Sequence, residues 1–157
     1  MILYHGTNQE FDEIDLRKSK PNKDFGQGFY LSREYAQAME MAKTKVEQLE
    51  SGTPIVMTFN VDDAQMESLN VLRFNDYTKD WAKFILLNRH NNNKEPAHDY
   101  DVVIGPIAND RVGVQLWKFE SHSIDLATLV HNLRNMRGIT FQYYFGTERA
   151  IKILKRL

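Results

Sequence analysis

The chain begins with the stretch MILYHGT (residues 1–7), in which a short predicted strand, MILYH, runs into a glycine and a threonine. His5, Gly6 and Thr7 therefore lie together where an apolar strand ends. A single histidine near a strand end is most often a core or surface residue with ordinary hydrogen bonds. A functional role for His5 thus depends on matching chemistry in distant segments of the chain.

Length and composition indicate one ordinary globular domain over residues 1–157. Apolar residues make up 42% of the chain and charged residues 26%, which is far from the composition of a disordered protein. The 20 basic and 21 acidic side chains give a net charge of -1, so no global positive field attracts nucleic acid or an anionic membrane. The absence of cysteine excludes disulfides and thiolate metal sites.

The sequence also predicts a cytoplasmic location and no contact with a membrane. Residues 1–16 lack the basic and apolar regions of an export signal. Nowhere do about 18 apolar residues run together, as a membrane-spanning helix requires.

A polar segment at residues 10–28 follows the first strand and predicts an extended loop, which leads to a short strand, FYLS (29–32), containing Tyr30. The loop carries Gly26 and Gly28, but a GxG without a third glycine is more typical of a turn than of a dinucleotide fingerprint. Tyr30 is equally compatible with an ordinary core position in a strand.

Hydrophobic periodicity predicts the remaining elements. Apolar residues at spacings of three and four indicate helices, and strict alternation or a compact β-branched run indicates strands. Serine is a favourable N-cap and glycine a favourable terminator, which places one helix between Ser32 and Gly52 and another between Ser123 and Gly138. The predicted elements are strands within 53–62, 70–74, 100–108 and 139–147, helices within 32–52, 80–90 and 123–138, a polar surface loop at 88–99, and a short helix at 147–157 capped by Thr147.

The late strand, ITFQYYFGT (139–147), has a clear alternation. Phe141, Tyr143 and Phe145 face one way, so Gln142 and Tyr144 face the other. Strands and single helices without a regular βαβ rhythm predict an α+β domain.

Four blocks in this order resemble a small bacterial ADP-ribosyltransferase-like family of the diphtheria-toxin and poly(ADP-ribose) polymerase branch. They are LYHGT (3–7), DFGQGFYLS (24–32), DYDVVIGPIANDR (99–111) and FQYYFGTERAIKIL (141–154). The resemblance spans nearly the whole chain, although residues 62–97 carry little of it. It implies a split β-sandwich with flanking helices, in which two small sheets hold NAD in a cleft.

The resemblance also implies roles for individual residues. His5 would hydrogen-bond the adenine-side ribose of NAD, and the backbone of Gly6, with Thr7 beside it, would engage the nicotinamide carboxamide. Tyr30 would stack on the nicotinamide ring, while Gly28 would let the neighbouring loop approach the cofactor.

The third position of this branch usually holds a glutamate, and here it is Gln142. Cleavage of the nicotinamide–ribose bond develops positive charge on the ribose, which a carboxylate stabilises. Gln142 can orient a ribose hydroxyl, but it is neutral and cannot act as a general base. Losing one such electrostatic partner typically slows a reaction about a hundredfold, so we expect NAD binding to survive better than turnover.

These residues lead to an expected function: transfer of ADP-ribose from NAD, a substrate here, to a protein or nucleic acid acceptor, without a metal. The chain would be an effector or the toxin of a toxin–antitoxin pair, with an antitoxin or immunity protein as partner. Asp110 is a secondary candidate for cofactor binding, and Arg17 or Lys20 lies on a loop able to cover an NAD phosphate. Two alternatives stay open: a non-catalytic NAD or ADP-ribose binding module, and a protein-interaction domain with a vestigial cleft.

Two further polar clusters are predicted to be structural. HDYD (98–101) lacks a complete set of metal ligands and predicts a loop. The adjacent residues of SHSID (121–125) cannot converge into a catalytic triad and predict a helix cap.

Overall fold

The computed structural model describes residues 1–93, 95–136 and 138–157 and confirms an α+β architecture with two β-sheets. The strands are β1 (Ile2–Thr7), β2 (Phe29–Leu31), β3 (Ile55–Val61), β4 (Val71–Arg73), β5 (Val102–Pro106), β6 (Phe141–Phe145) and β7 (Leu154–Arg156).

One sheet has three antiparallel strands in the order β1-β3-β7, and the other has four strands in the order β2-β6-β5-β4. In the second sheet β6 pairs antiparallel with both β2 and β5, whereas β4 pairs parallel with β5. The two sheets meet where β1 runs beside the end of β2. There Tyr4 and Ser32 exchange two backbone hydrogen bonds, of 2.7 and 2.8 Å.

The helices are α1 (Tyr35–Leu49), α2 (Asp63–Glu67), α3 (Lys79–Arg89), α4 (Asp110–Glu120), α5 (Leu126–Arg134) and α6 (Glu148–Ile151), with a short 3-10 turn at Leu16–Lys18. Helix α1 packs on β1, and helices α3–α5 cover one face of the four-stranded sheet.

Two hydrophobic clusters lie on opposite faces of the four-stranded sheet. The first fills the space between the sheets and includes Leu3, Phe59 and Phe145. The second lies between the outer face of that sheet and helices α3–α5, and it includes Trp81 and Tyr144. The alternation predicted for residues 139–147 is therefore confirmed, because neighbouring residues of β6 enter different clusters.

The predicted strand within 53–62 is confirmed by β3, and the buried strand within 100–108 by β5, all five residues of which are buried. The helix predicted within 80–90 is confirmed by α3. The strand predicted within 70–74 forms as β4, but it pairs with β5 instead of extending the sheet of β3.

Helix α1 begins and ends inside its predicted limits. Ser32 does not cap it, because its backbone is engaged in the bridge to Tyr4 and its hydroxyl oxygen accepts the N–H of Glu34 at 3.0 Å. The helix ends at Leu49, and Glu50 takes the left-handed conformation at φ 49°, so Gly52 is not the terminator.

Helix α5 is also shorter than predicted, and Ser123 is not its cap. Asp125 caps it, because its carboxylate accepts the N–H of Thr128 at 2.7 Å, and the helix ends at Arg134, before Gly138. Helix α4 was not predicted, although Asn109 caps it and Val112 and Leu116 are buried at a helical spacing of four.

The chain terminus was predicted as one short helix over 147–157. Thr147 does cap a helix, with its hydroxyl oxygen accepting the N–H of Ala150 at 3.2 Å. That helix, α6, covers four residues, and β7 then pairs with β3. Backbone pairing with a sheet edge here outweighs the helical propensity of the lysines and leucine.

Lys94, within the loop predicted at 88–99, and Arg137, within the helix predicted at 123–138, lie outside the described residues. In the described ranges, no helix combines the length and apolar character needed to cross a membrane.

Candidate functional site

His5 lies at the junction of the two sheets and is almost fully buried. Its Nδ1 lies 2.7 Å from the carbonyl oxygen of Tyr30, and its ring stacks on Phe29 at 4.1 Å between centroids. Burial, followed by the charge of Lys45, lowers the pKa of His5 to about 3. The imidazole is therefore neutral at pH 7, and the proton on Nδ1 is donated to Tyr30, which leaves Nε2 as an acceptor.

Lys45 is the partner of that acceptor, and it was not among the predicted site residues. From helix α1 its Nζ reaches His5 Nε2 at 3.3 Å and the carbonyl oxygen of Gly6 at 2.8 Å. Burial and the charge of Lys23 lower the pKa of Lys45 to about 8, so its ammonium is largely protonated at pH 7. Nothing in the helical pattern distinguishes Lys45 from its neighbour Lys43, because 40 residues separate it from His5.

Gly6 permits the close contact between β1 and α1 that brings Lys45 to His5. A Cβ atom at Gly6 would lie 1.9 Å from the backbone oxygen of Ala38 and 2.7 Å from the backbone nitrogen of Ala42. No L-side chain fits at such distances, so the glycine is required by packing.

Tyr30 anchors the loop that precedes β2. Its hydroxyl donates to the carbonyl oxygen of Gly26 at 2.6 Å and accepts the N–H of Phe25 at 3.1 Å. Burial raises the pKa of Tyr30 well above its ordinary value, so the hydroxyl stays protonated. The ammonium of Lys23 lies 5.2 Å from the centre of the Tyr30 ring, which is within cation–π distance.

The Tyr30 ring also contacts Tyr144. The two rings meet edge to face at 5.3 Å, and the Tyr144 hydroxyl donates to the carbonyl oxygen of Gln27 at 3.0 Å. Gly28 is packed against this ring, because a Cβ atom there would lie 2.2 Å from Tyr144 Cε2. Gly28 therefore lets the loop pass over Tyr144.

Gln142 lies on β6 opposite Gly105, two residues before Tyr144. Since Tyr30 and Tyr144 are partners across β2 and β6, Gln142 shares the sheet face that carries both rings. Its amide nitrogen is buried and makes no hydrogen bond, a property that it shares, in the described part of the chain, with Asn88 Oδ1. A buried amide N–H without a hydrogen-bond partner is energetically costly.

Thr7 and Asp110 have other surroundings. The Thr7 hydroxyl donates to the carbonyl oxygen of Gln9 at 2.9 Å. Asp110 opens helix α4 beside a surface cavity of about 370 Å³ whose lining includes Arg89 and Trp117. None of the other predicted site residues lines this cavity.

The structure thus brings His5 onto the backbone of Tyr30, and it places Tyr30 and Gln142 on one sheet face. It does not bring their three side chains into one cluster. The His5 ring packs on Phe29, which belongs to the cluster between the sheets, whereas the Tyr30 ring packs against the opposite cluster.

The HDYD segment (98–101) forms a loop, as predicted, and its last residue has a structural role. The buried Asp101 carboxylate accepts hydrogen bonds from the Thr147 hydroxyl at 2.6 Å and from Arg149 Nε at 2.8 Å. Burial opposes ionisation, but these bonds outweigh it and lower the pKa of Asp101. This ion pair joins the start of β5 to α6.

One protein-family model matches almost the whole chain. A family model described as a protein of unknown function, DUF3990, matches residues 1–156. A comparison with curated proteins gave no match. Since the matched range contains both sheets and every candidate residue above, the chain belongs to the DUF3990 family.

Proposed function

We propose that the chain is an NAD-dependent ADP-ribosyltransferase with the split β-sandwich of the diphtheria-toxin and poly(ADP-ribose) polymerase branch. The observation that carries the proposal is the contact between His5 and Tyr30 across the sheet junction, at 2.7 Å. It joins two of the four blocks on which the resemblance rests, although 25 residues separate them. The neutral imidazole is held in one tautomer, with Nε2 available to accept from a ribose hydroxyl once Lys45 moves away.

The environment of Tyr30 supports a role in stacking on nicotinamide. One ring face already attracts a cation, the ammonium of Lys23 at 5.2 Å. The nicotinamide ring of NAD is also cationic, so a face that attracts an ammonium suits it electrostatically. The two hydrogen bonds of the hydroxyl fix the orientation of the ring, which lowers the entropic cost of stacking.

The buried amide of Gln142 supports a role in holding the ribose. Its amide nitrogen, which has no partner within the protein, would donate a hydrogen bond to a ribose hydroxyl oxygen, and that bond would recover part of the cost of burying the amide.

In the proposed reaction the bond between the ribose C1′ and the nicotinamide nitrogen breaks, and its electron pair leaves with nicotinamide. The acceptor's nucleophile bonds to C1′ and loses its proton to solvent or to the acceptor itself. Gln142 would orient the sugar without supplying the negative charge that stabilises the cationic transition state. The acceptor is proposed to be a protein or nucleic acid, and the cellular role that of a toxin or effector countered by an antitoxin or immunity protein.

A second candidate is a module that binds NAD or ADP-ribose without turnover. The arrangement of Lys45 favours it, because an ammonium 2.8 Å from the Gly6 carbonyl oxygen adds positive charge near a site where positive charge develops. The positive charge of Lys45 and the neutral side chain of Gln142 would together raise the barrier to cleavage of the nicotinamide–ribose bond more than they weaken NAD binding.

Calorimetric titration of NAD into the purified chain tests both candidates at the level of binding. His5→Ala and Tyr30→Ala should each weaken binding by about 1 kcal/mol or more, because one removes a hydrogen-bond partner and the other a stacking face. Tyr35→Ala, which truncates an exposed tyrosine on α1, is the matched control and should bind like wild type. Unchanged affinity in the folded His5→Ala and Tyr30→Ala double variant would remove the assignment.

A further inference from the structure

Three lysines gather around the His5 and Tyr30 segments. Lys45 approaches from α1, whereas Lys20 and Lys23 come from the loop before β2. The charge of Lys23 lowers the pKa of both Lys45 and His5, and the charge of Lys20 lowers that of Lys23. The ammonium group of Lys23 is therefore near enough to repel those of Lys45 and Lys20.

The charge of Asp24 offsets only part of the repulsion at Lys23. Within the described ranges, none of the three lysines forms an ion pair with an acidic side chain, although nine ion pairs occur elsewhere. The nearby carboxylate of Asp24 is engaged by Arg89 at 2.8 Å. Arg17, on the same loop, is paired with Asp15 at 3.0 Å.

The surroundings of Lys45 and Lys23 offer them weaker partners than an anion would. Lys45 is half-buried and donates to a carbonyl oxygen and an imidazole, while Lys23 lies over an aromatic ring. Each of these partners is neutral, so exchanging it for an anionic acceptor would give a stronger hydrogen bond between two charged groups. Uncompensated like charges in a partly desolvated site are unfavourable, and a bound anion relieves that repulsion.

From this arrangement we infer that Lys23 and Lys45 form a binding site for the diphosphate group of a nucleotide, with Lys20 at its rim. The identity of the nucleotide as NAD or ADP-ribose rests on the proposed function. A diphosphate carries at least two negative charges on neighbouring phosphoryl groups, so it can accept from both ammonium groups at once. Its binding would withdraw Lys45 from the Gly6 carbonyl oxygen and from His5, freeing both for the rest of the ligand.

Titration calorimetry with inorganic pyrophosphate and with ADP-ribose as probes tests the site directly. Lys23→Gln and Lys45→Gln should each weaken binding of both probes by about tenfold, as expected for the loss of a hydrogen bond to a charged group. Lys45→Arg keeps the charge and should retain most of the affinity. Lys43→Gln, two residues along α1 and paired with Glu40, is the matched control and should bind like wild type.

Salt provides a second readout. Raising the salt concentration from 50 to 200 mM should weaken wild-type binding of ADP-ribose more than that of Lys23→Gln, because screening acts on the charge that the variant lacks. Lys23 is on an exposed loop, so this variant stays informative even where Lys45→Gln fails to fold.

Wild-type affinity in both glutamine variants, or no binding of either probe at millimolar concentration, would overturn the inference. Failure of the proposed function is separable, because pyrophosphate and ADP-ribose bind without any bond being cleaved. Lysine-dependent binding without release of nicotinamide from NAD would keep this site and argue against a transferase.

Discussion

His5 lies in a buried environment that disfavours its protonated form. The ring donates to the Tyr30 carbonyl oxygen and accepts from Lys45. The second bond requires a neutral imidazole, because a protonated ring has no acceptor nitrogen. Protonation would leave two cations 3.3 Å apart. The folded structure is therefore built around an uncharged histidine, which makes its stability sensitive to acid.

We predict that wild-type stability falls as the pH drops below 6.5. The unfolded chain binds a proton at His5 near pH 6.5, whereas the folded chain does so only near pH 3, so the unfolded state holds more protons throughout this window. The stability contributed by neutral His5 is fully present above pH 6.5 and is lost at up to about 1.4 kcal/mol per pH unit below it.

Urea unfolding between pH 7 and pH 5 measures this dependence. His5→Asn should show a shallower loss of stability than wild type, while Phe59→Leu, a destabilised core variant that keeps His5, should show the wild-type slope. Equal slopes for wild type and His5→Asn would argue against a neutral buried histidine.

At the scale of elements, the packing of α1 on β1 is what positions Lys45. The closest approach is at Gly6, where the helix backbone leaves no room for a Cβ atom. This contact fixes the position of the Lys45 Nζ atom relative to β1, because Lys45 lies on the same helix, two turns after Ala38.

We predict that Gly6→Ala lowers the free energy of unfolding by about 1–3 kcal/mol, because the added methyl group forces helix and strand apart. Gly113→Ala is the matched control. Gly113 lies within α4 with open space around it, so alanine there should raise stability by about 0.5–1 kcal/mol. Thermal unfolding monitored by circular dichroism gives both values, and a neutral Gly6→Ala variant would contradict the described packing.

Several of these elements could be predicted from the sequence because they depend on local pattern. Alternation alone placed Gln142 with Tyr144 and opposite Tyr143, and the structure confirms that division. The bounds of α1 could not be predicted, because Ser32 is held by a backbone bridge to Tyr4, a contact between distant segments. The terminal strand β7 was missed for the same reason, since its pairing with β3 is not visible in its own residues.

At the scale of the whole molecule, the candidate site is a product of topology. Sheet β1-β3-β7 supplies His5, sheet β2-β6-β5-β4 supplies Tyr30 and Gln142, and α1 adds Lys45 at the junction. The four blocks could be recognised from their order along the chain, but the proximity of Lys23 and Lys45 could not be predicted, because spacing along the chain carries no information about such a distant contact. The sequence did suggest that Arg17 or Lys20 of this loop could cover an NAD phosphate. In the structure Arg17 is paired with Asp15.

Release of nicotinamide from NAD tests the proposed ADP-ribosyltransferase activity most directly. Wild type, Gln142→Ala, Gln142→Glu and the control Gln48→Ala, which changes an exposed glutamine of α1, would be incubated with NAD and cell lysate as acceptor. Labelled ADP-ribose would be followed in parallel, over a range of pH because burial can raise the pKa of the introduced carboxylate.

We predict that wild type releases nicotinamide and labels an acceptor, that Gln142→Ala is slower, and that Gln142→Glu matches or exceeds wild type by stabilising the cationic transition state. Gln48→Ala should be indistinguishable from wild type. If wild type is active and Gln142→Ala has the same activity, another residue must hold the nicotinamide ribose, and Glu148 is the next to test. If wild type binds NAD but releases no nicotinamide with any lysate, the proposed transferase activity is contradicted and the chain is a binding module.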